Sequence, residues 1–341
     1  MSKYGTIKQT VLSYYEDLEK AAPEDILQVL DQYLSESCEW KCSYPFRELM
    51  GKEEICRDFW KPLKESLTCM QRRMDIFFGG NNVLAPEETW VMSMGHFMGL
   101  FDRDFLGIRA TGKMASLRYA EFSCVDGGKI TKTGLFLDLI GLMCQAGMNP
   151  LPPMTGQYFI YPGPRMHNGL LFEDAPEEEG RKTLEVVESM TEILDRLNRS
   201  GSLEPPTEED LARSWSQDMI WYGPAGVGAT YTIPRYIRQH TGPFRQGLTD
   251  KKFNGHCVRF AEGNFAAFFG WPNLSNRCNG WLGLPVGKEP ASMQVVDVYC
   301  RQGDKLSENW VIIDIPYWLK QQGVDVFRRT AGILNAGSSL T

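Results

Sequence analysis

The sequence predicts an α+β fold made of two tandem units, each with helices first and a curled antiparallel sheet after them. Three observations lead to this fold class. Residues 126–147 and 302–323 carry Gly, Lys, Asp, Gln and Gly at matching places. Apolar residues recur at helical spacing early in each half and at strand spacing later. The chain has 341 residues, a length that suggests two domains of ordinary size.

The internal repeat defines the predicted domains. At a sequence offset of 176 the halves match at Glu121/Asp297, Cys124/Cys300, Gly127/Gly303, Lys129/Lys305, Asp138/Asp314, Gln145/Gln321 and Gly147/Gly323. Upstream the offset becomes 181, which pairs Trp40 with Trp221, Pro62 with Pro243 and Leu67 with Leu248. A difference in loop length explains the change, so the halves are interpreted as copies of one domain. The predicted units are 1–150, a connection at 151–179, 180–330 and a tail at 331–341.

The elements of the first half follow from periodicity. Residues 7–18 have an apolar stripe at helical spacing, and residues 22–34 form a second short helix. A strand follows at 38–45 and a helix at 51–63. Four strands are predicted at 68–78, 89–101, 114–125 and 129–138, with a hairpin turn at Asp126-Gly127 between the last two. A short helix at 139–146 ends at Gly147.

The second half repeats this order. Residues 181–199 form an amphipathic helix, and 207–213 begin with a Thr cap and acidic residues. A strand at 215–224 and a helix at 232–240 precede further strands that end at Asp314. The connection between the halves is rich in Pro, Gly and aromatic residues. The loop at 223–230 resembles a phosphate-binding loop but lacks its Lys, so nucleotide binding is not expected. It is predicted instead to be a flexible lid over a second pocket.

Composition and motifs argue against several classes of function. A net charge of −7 without a long Lys/Arg cluster argues against nucleic acid and anionic membranes as partners. The first residues lack the apolar core of a secretory signal, and the apolar runs are too short to span a bilayer. A cytoplasmic protein is therefore predicted. The nine Cys and four His residues show no spacing typical of metal ligands, so no metal is expected.

Residues 95–147 resemble the SnoaL-like polyketide cyclase family of the nuclear transport factor 2-like superfamily. The resemblance is carried by Gly95-His96, Gly-Ile-x-x-Thr-Gly-Lys at 107–113, the acidic residue of the next strand, Asp-Gly-x-Lys-Ile at 126–130, Asp138 and Gln-x-Gly at 145–147. The second half is similar at 221–228, 303–315 and 321–323, so the resemblance covers most of the chain. It implies two cystatin-like domains, each with a sheet around a conical pocket, and aldol-type cyclisation without a cofactor. Where many relatives carry Glu-His-Trp, this chain has Lys-Thr-Gly at 132–134 and Glu-Asn-Trp at 308–310.

The strand-end Asp138 and Asp314 are the predicted acid/base residues. The resemblance assigns this role to a pocket carboxylate, and burial in an apolar strand would raise the pKa of such a group toward neutrality. The alternative is that each Asp caps the helix that follows it, since Asp readily accepts hydrogen bonds from backbone N–H groups.

Further candidates surround these two residues. Glu121 and Asp297 precede them at equal spacing, each on the neighbouring strand, either as paired carboxylates or in a salt bridge with Arg118, Lys132 or another cation. His96 is a candidate catalytic donor or a core histidine. The predicted ligand-binding residues are Trp40, Trp221, Tyr222, Asp297 and Trp310. Ordinary core packing is the alternative for the aromatic residues at the end of the first strands.

Two functional hypotheses result. The first is a cofactor-independent cyclase, isomerase or hydratase that acts on a hydrophobic, carbonyl-bearing small molecule. The second is a non-catalytic module, either a small-ligand binder or an interaction module, whose two copies pair within the chain as a pseudo-dimer. A further homodimer of such chains is left open in addition to the pseudo-dimer. Pairing within the chain would be wrong if the two sheets did not touch and each copy paired with another chain.

Overall fold

The computed structural model describes residues 3–287 and 289–331. Of the predicted tail at 331–341, all but Ala331 lies outside the described residues. The first half contains, in order, α1 (Gly5–Lys20), α2 (Ile26–Tyr33), β1 (Leu34–Cys42), β2 (Arg47–Met50), α3 (Lys52–Ile55), a π-helical stretch (Cys56–Trp60), α4 (Lys61–Ser66), β3 (Leu67–Asn82), β4 (Ala85–Phe101), β5 (Met114–Asp126), β6 (Lys129–Leu137) and α5 (Leu139–Gln145).

The second half contains the same kinds of element in nearly the same order. These are α6 (Glu177–Arg199), α7 (Glu208–Ala212), β7 (Trp215–Tyr222), β8 (Thr230–Tyr231), α8 (Ile233–Tyr236), a π-helical stretch (Ile237–Thr241), α9 (Gly242–Gly247), β9 (Leu248–Phe253), β10 (Val258–Glu262), β11 (Phe265–Cys278), a 3₁₀ turn (Trp281–Gly283), β12 (Pro290–Gln302), β13 (Lys305–Ile313) and α10 (Ile315–Gln321).

Element boundaries recur at the two sequence offsets. The bounds of α3, the π-helical stretch and α4 return at the offset of 181 as α8, the second π-helical stretch and α9. The bounds of β5, β6 and α5 return at the offset of 176 as β12, β13 and α10. A π-helical turn is rare, so its recurrence at the same offset indicates that local geometry as well as sequence is repeated.

Each half builds one sheet. The first has the strand order β2-β1-β6-β5-β4-β3, and the second has the order β10-β11-β12-β13-β7-β8, with β9 also paired to β11. All neighbouring strands are antiparallel except for β1 with β6 and β7 with β13, which are parallel. The predicted fold class, α+β with two tandem helix-then-sheet units, is confirmed, and each sheet is mixed rather than purely antiparallel.

Local sequence explains the elements that shape the first unit. On α1, Val11, Tyr14, Tyr15 and Leu18 are buried at the spacing of one helix face, which packs α1 onto the sheet. The β5–β6 hairpin turns at Gly127 and Gly128, which have φ angles of 55° and 77°. A two-residue turn with both central residues at positive φ matches the twist of the flanking strands and favours glycine.

The two sheets pack against each other through the faces that point away from the helices. We call this layer the inter-sheet cluster. It consists of Ile76, Phe78, Trp90, Met92, Met94, Ala120, Phe122, Cys124, Phe136, Tyr161, Tyr222, Val258, Phe260, Phe265, Ala267, Phe269, Val296, Val298, Cys300, Trp310 and Ile312. The rings of Phe122 and Phe269, one from each half, have centroids 4.9 Å apart. Burial of this layer stabilises the association of the halves at roughly 25 cal/mol per Å² of apolar surface.

Candidate functional site

A cavity of about 370 Å³ lies inside the second half. It is bounded by α6, by the helical residues 236–244 and by the inner face of the second sheet. Its walls are mainly aromatic and aliphatic, and its polar side chains converge from several strands. An apolar pocket with a few converging polar groups is the usual form of a small-molecule site.

Asp297 is the inward-facing carboxyl group of the sheet at this cavity. Its Oδ1 accepts hydrogen bonds from the Tyr299 hydroxyl at 3.1 Å and the Asn309 side-chain amide at 3.4 Å. Tyr299 and Asn309 are direct cross-strand partners on β12 and β13, so one sheet register positions both donors. Burial raises the pKa of Asp297 from 3.8 to about 7. Such a carboxyl group changes its charge near neutral pH, which suits a proton-transfer role.

Two histidines also line the cavity. His240 stacks on Trp221 with ring centroids 3.7 Å apart, and His256 stacks on Phe268 at 3.9 Å. Burial lowers the pKa of His240 to about 3. Burial, together with the charge of Arg259, lowers the pKa of His256 to about 3. Both imidazoles are therefore neutral at pH 7 and can donate or accept hydrogen bonds without adding charge.

The equivalent interior of the first half is occupied by a buried ion pair. Glu121, which corresponds to Asp297, contacts the Arg72 guanidinium at 2.7 Å, and both side chains are buried. The guanidinium carbon of Arg72 lies 3.5 Å from the ring centroid of Tyr15 and 4.7 Å from that of Tyr119. The salt-bridge alternative for Glu121 therefore describes its position, with Arg72 as the cation in place of Arg118 or Lys132.

Two replacements account for the open interior of the second half. At the offset of 181, Arg72 corresponds to Phe253, and at the offset of 176, Tyr119 corresponds to Val295. Phe253 pairs with the long strand β11, just as Arg72 pairs with the long strand β4. Both Phe253 and Val295 line the cavity. The second half thus lacks the cation that neutralises the carboxylate and one of the rings that fill the space.

Asp138 and Asp314 occupy reciprocal positions between the halves. Asp138 Oδ1 accepts from Gly141 N at 3.0 Å and caps α5, while its Oδ2 accepts from Ala225 N of the second half at 2.9 Å. Asp314 caps α10 through Tyr317 N at 3.2 Å. Burial raises the pKa of both carboxyl groups, that of Asp314 to about 6. Neither residue is among those that line the cavity of the second half.

Asp314 also accepts a hydrogen bond from the other half, as Asp138 does from Ala225. Its Oδ2 accepts from Tyr44 N of the first half at 2.8 Å. Tyr44 and Ala225 correspond at the offset of 181, as the two aspartates do at 176. Each Asp therefore caps its own helix and holds the loop after the first strand of the other half. An acid/base role for either residue stays a prediction, and this geometry favours the capping alternative.

The remaining predicted residues divide between the cavity and other places. Trp221 lines the cavity with Asp297. Trp40 is buried in the first-half core beside Trp60. Tyr222 and Trp310 stack on each other in the inter-sheet cluster, with centroids 5.4 Å apart.

His96 lies on β4, between β3 and β5 of the first sheet. Its Nδ1 is 3.5 Å from Asp75 Oδ2, and His96 pairs across the strands with Arg118, which donates to Tyr222 O of the second half at 3.2 Å. Its side chain therefore belongs to the contact region of the halves and is not among those that line the second-half cavity.

The sequence alone predicts neither Tyr299 and Asn309 as partners of Asp297 nor the positions of His256 and His240 in the cavity. The sequence does contain a pattern that points to Tyr299 and Asn309. They share the inward-facing strand parity of Asp297, and a β-hairpin places residues of one parity on one face. No comparable pattern marks the histidines, because His256 lies between β9 and β10 and His240 lies in the π-helical stretch.

Neither a metal cluster nor a membrane-spanning helix is found within residues 3–287 and 289–331. No group of three or more His, Cys, Asp or Glu side chains there could hold a metal ion. None of the helices in these ranges combines the length and apolar composition needed to cross a membrane.

Comparison with known proteins gives structural neighbours and no family assignment. No family model and no curated protein matches the chain. A nuclear transport factor 2-like protein from Burkholderia xenovorans is similar in structure, with 10% identity, coverage of 42% of this chain and 97% of its own, and a TM-score of 0.34. A protein from Jannaschia assigned to the SnoaL-like polyketide cyclases has 18% identity, coverage of 44% and 94%, and a TM-score of 0.33. Similarity at this level decides neither family nor activity.

Proposed function

We propose that the second half binds a hydrophobic, carbonyl-bearing small molecule and that Asp297 moves a proton at the carbon next to the carbonyl. One observation carries this proposal: an aromatic cavity of about 370 Å³ contains a carboxyl group whose pKa burial raises to about 7. Oδ1 is held by Tyr299 and Asn309, and no hydrogen bond from the described residues engages Oδ2. That oxygen is the one we assign to the substrate.

The chemistry balances without an oxidant or a cofactor. The Asp297 carboxylate accepts a proton from the α-carbon, and the C–H electron pair becomes that of an enolate. In an isomerisation, Asp297 returns the proton to a different carbon of the enolate system. In an aldol closure, the enolate carbon bonds to a second carbonyl carbon, and the resulting alkoxide takes the proton from Asp297. Proton transfer by a positioned side chain contributes typically 10²–10⁴-fold in rate.

The first half then has a structural role and binds no ligand in its interior. The Arg72–Glu121 pair and the surrounding rings occupy the space that a ligand would need. We also infer that the halves are tandem copies of one domain, related to the SnoaL-like family, that pack as an intramolecular pseudo-dimer. The bonds Asp138–Ala225 and Asp314–Tyr44 support this, because reciprocal contacts between equivalent residues are the mark of a two-fold interface.

Exchange of α-hydrogens tests the proposed chemistry. 1-Tetralone is a bicyclic aromatic ketone with exchangeable hydrogens beside its carbonyl, and it is small enough for the cavity. In D₂O the protein should catalyse deuterium incorporation at that carbon, followed by NMR, with a rate that rises as pH passes through about 7. The Asp297→Asn variant should bind 1-tetralone and lower this rate by about 10²-fold or more.

Asp195→Asn is the matched control. Asp195 also lines the cavity, but it pairs with Arg199 at 3.0 Å on α6. This variant should exchange deuterium at the wild-type rate. Binding without catalysed exchange would establish the ligand-binding module in place of the enzyme, and loss of exchange in both variants would remove the assignment to Asp297.

A further inference from the structure

His256 and Arg259 form a fixed pair at one wall of the cavity. Arg259 Nη2 lies 3.0 Å from His256 Nδ1. A guanidinium group has donors and no acceptor, so Nδ1 must accept this hydrogen bond. The proton of the neutral imidazole is therefore on Nε2, the nitrogen not engaged by Arg259.

The arginine is itself held in place. Its Nη1 contacts Glu188 on α6 at 3.3 Å. Its backbone N donates to the Asn82 side chain at 3.1 Å, and its backbone carbonyl accepts from Val83 N at 2.9 Å. Asn82 and Val83 belong to the hairpin of the first half, so contacts from both halves position the group that sets the imidazole tautomer.

The imidazole ring packs on the strand that neighbours the strand of Asp297. It stacks on Phe268 at 3.9 Å and meets Phe253 edge-on at 5.1 Å. Phe268 is the direct cross-strand partner of Asp297. The imidazole is therefore one aromatic side chain away from the acid, and both line the same cavity.

We propose that His256, held by Arg259 with its proton on Nε2, is the hydrogen-bond donor that receives the carbonyl oxygen of the ligand and so positions the ligand against Asp297. This inference rests on the proposed function and adds a specificity determinant to it. The ligand class is a flat, apolar ketone or enol whose oxygen accepts one hydrogen bond. The low pKa of His256 supports the assignment, because a neutral donor requires no counter-charge on the ligand.

A ligand pair that differs only at the carbonyl tests the inference. 1-Tetralone has the acceptor oxygen, and tetralin has the same rings without it. Wild-type protein should bind 1-tetralone roughly 3- to 10-fold more tightly than tetralin, the range expected for one neutral hydrogen bond. His256→Phe should abolish this preference and leave the affinity for tetralin within about twofold.

A conservative variant separates the donor from the shape of the ring. In His256→Gln the side-chain amide nitrogen can donate from a position near that of Nε2, so part of the preference for the ketone should return. Nitrogen-15 NMR of His256 should show a protonated Nε2 and an unprotonated Nδ1 in the wild type, and a mixture of tautomers in Arg259→Gln, since an amide can both donate and accept.

Each outcome has one meaning. An unchanged ketone preference in His256→Phe, or a proton on Nδ1 in the wild type, would overturn the inference while leaving the role of Asp297 intact. If Asp297→Asn loses deuterium exchange but still prefers 1-tetralone over tetralin as the wild type does, both proposals are supported. If the wild type binds neither 1-tetralone nor tetralin, the proposed function fails and the inference fails with it.

Discussion

At the scale of single residues, the two halves carry a carboxylate at equivalent positions, Glu121 and Asp297, but surround it with different partners. Glu121 is buried against Arg72, whereas Asp297 is held by two neutral donors. A buried carboxylate next to a cation keeps its charge, while a buried carboxylate without one retains its proton to higher pH. The chemistry therefore depends on which residue stands two strands away from the carboxylate: Arg72 on β3 in the first half, or Phe253 on β9 in the second.

This contrast predicts a pH dependence of stability. The folded-state pKa of Asp297, about 7, lies above its ordinary 3.8, so the folded protein binds this proton more tightly than the unfolded chain. The free energy of unfolding should therefore fall as pH rises from about 4 to 7. Asp297→Asn should reduce this fall by about 2 to 4 kcal/mol, as urea unfolding at several pH values would measure. Asp314, whose pKa is about 6, leaves a residual fall of the same sign in the variant.

The first half supplies the control. Glu121→Gln leaves the buried Arg72 guanidinium without its counter-charge and should cost about 3–5 kcal/mol at pH 7. An equal loss of stability in Asp297→Asn at pH 7 would show that the Asp297 carboxylate is paired after all.

At the scale of elements, the inward faces of β12 and β13 decide whether the interior is open. Val295 lines the cavity at the position where the first half has Tyr119, and it is 8% exposed. A larger side chain at this position should occupy the space available to a ligand without displacing the sheet.

Val295→Phe is therefore expected to block binding and preserve the fold. Its affinity for both 1-tetralone and tetralin should fall more than 10-fold, because the added ring takes the ligand's space. The melting temperature should not fall, since the ring enters a void and not a packed core. Val295→Ile, a matched control that adds one methylene, should keep most of the binding measured by quenching of tryptophan fluorescence. Wild-type affinity in Val295→Phe would place the ligand elsewhere.

At the scale of the whole molecule, the two sheets share one apolar layer and exchange equivalent hydrogen bonds. Phe122, Phe136 and Phe269 meet across the inter-sheet cluster. Asp138 and Asp314 each bind the loop after the first strand of the other half. We interpret the first half as the structural partner that completes the second, because its contacts fix the loop that follows Trp221 and the arginine that orients His256.

Much of this architecture could be predicted from the sequence. The repeat offsets anticipated the recurring element bounds, since loops absorb length differences and strands and helices do not. The hairpin at Gly127 and the cap alternative for Asp138 follow from local chemistry of a few residues.

The candidate site was harder to predict from the sequence. The pairing of Arg72 with Glu121 joins positions 49 apart in sequence, so no local pattern reveals it. Alternation along a strand defines two faces without telling which packs on helices and which on the other sheet. For this reason Tyr222 and Trp310 were predicted to contact a ligand, although they lie in the inter-sheet cluster.

We propose that one cavity, in the second half, binds the ligand. A crystal structure of the protein soaked with 6-bromo-1-tetralone tests it most directly, because anomalous scattering locates the bromine without ambiguity. We expect one bromine position per chain, inside the cavity bounded by α6 and β12, with the ketone oxygen toward His256 and the α-carbon toward Asp297. A bromine inside the first half beside Arg72, or bound only outside both interiors, would show that the second-half cavity is not the ligand-binding site.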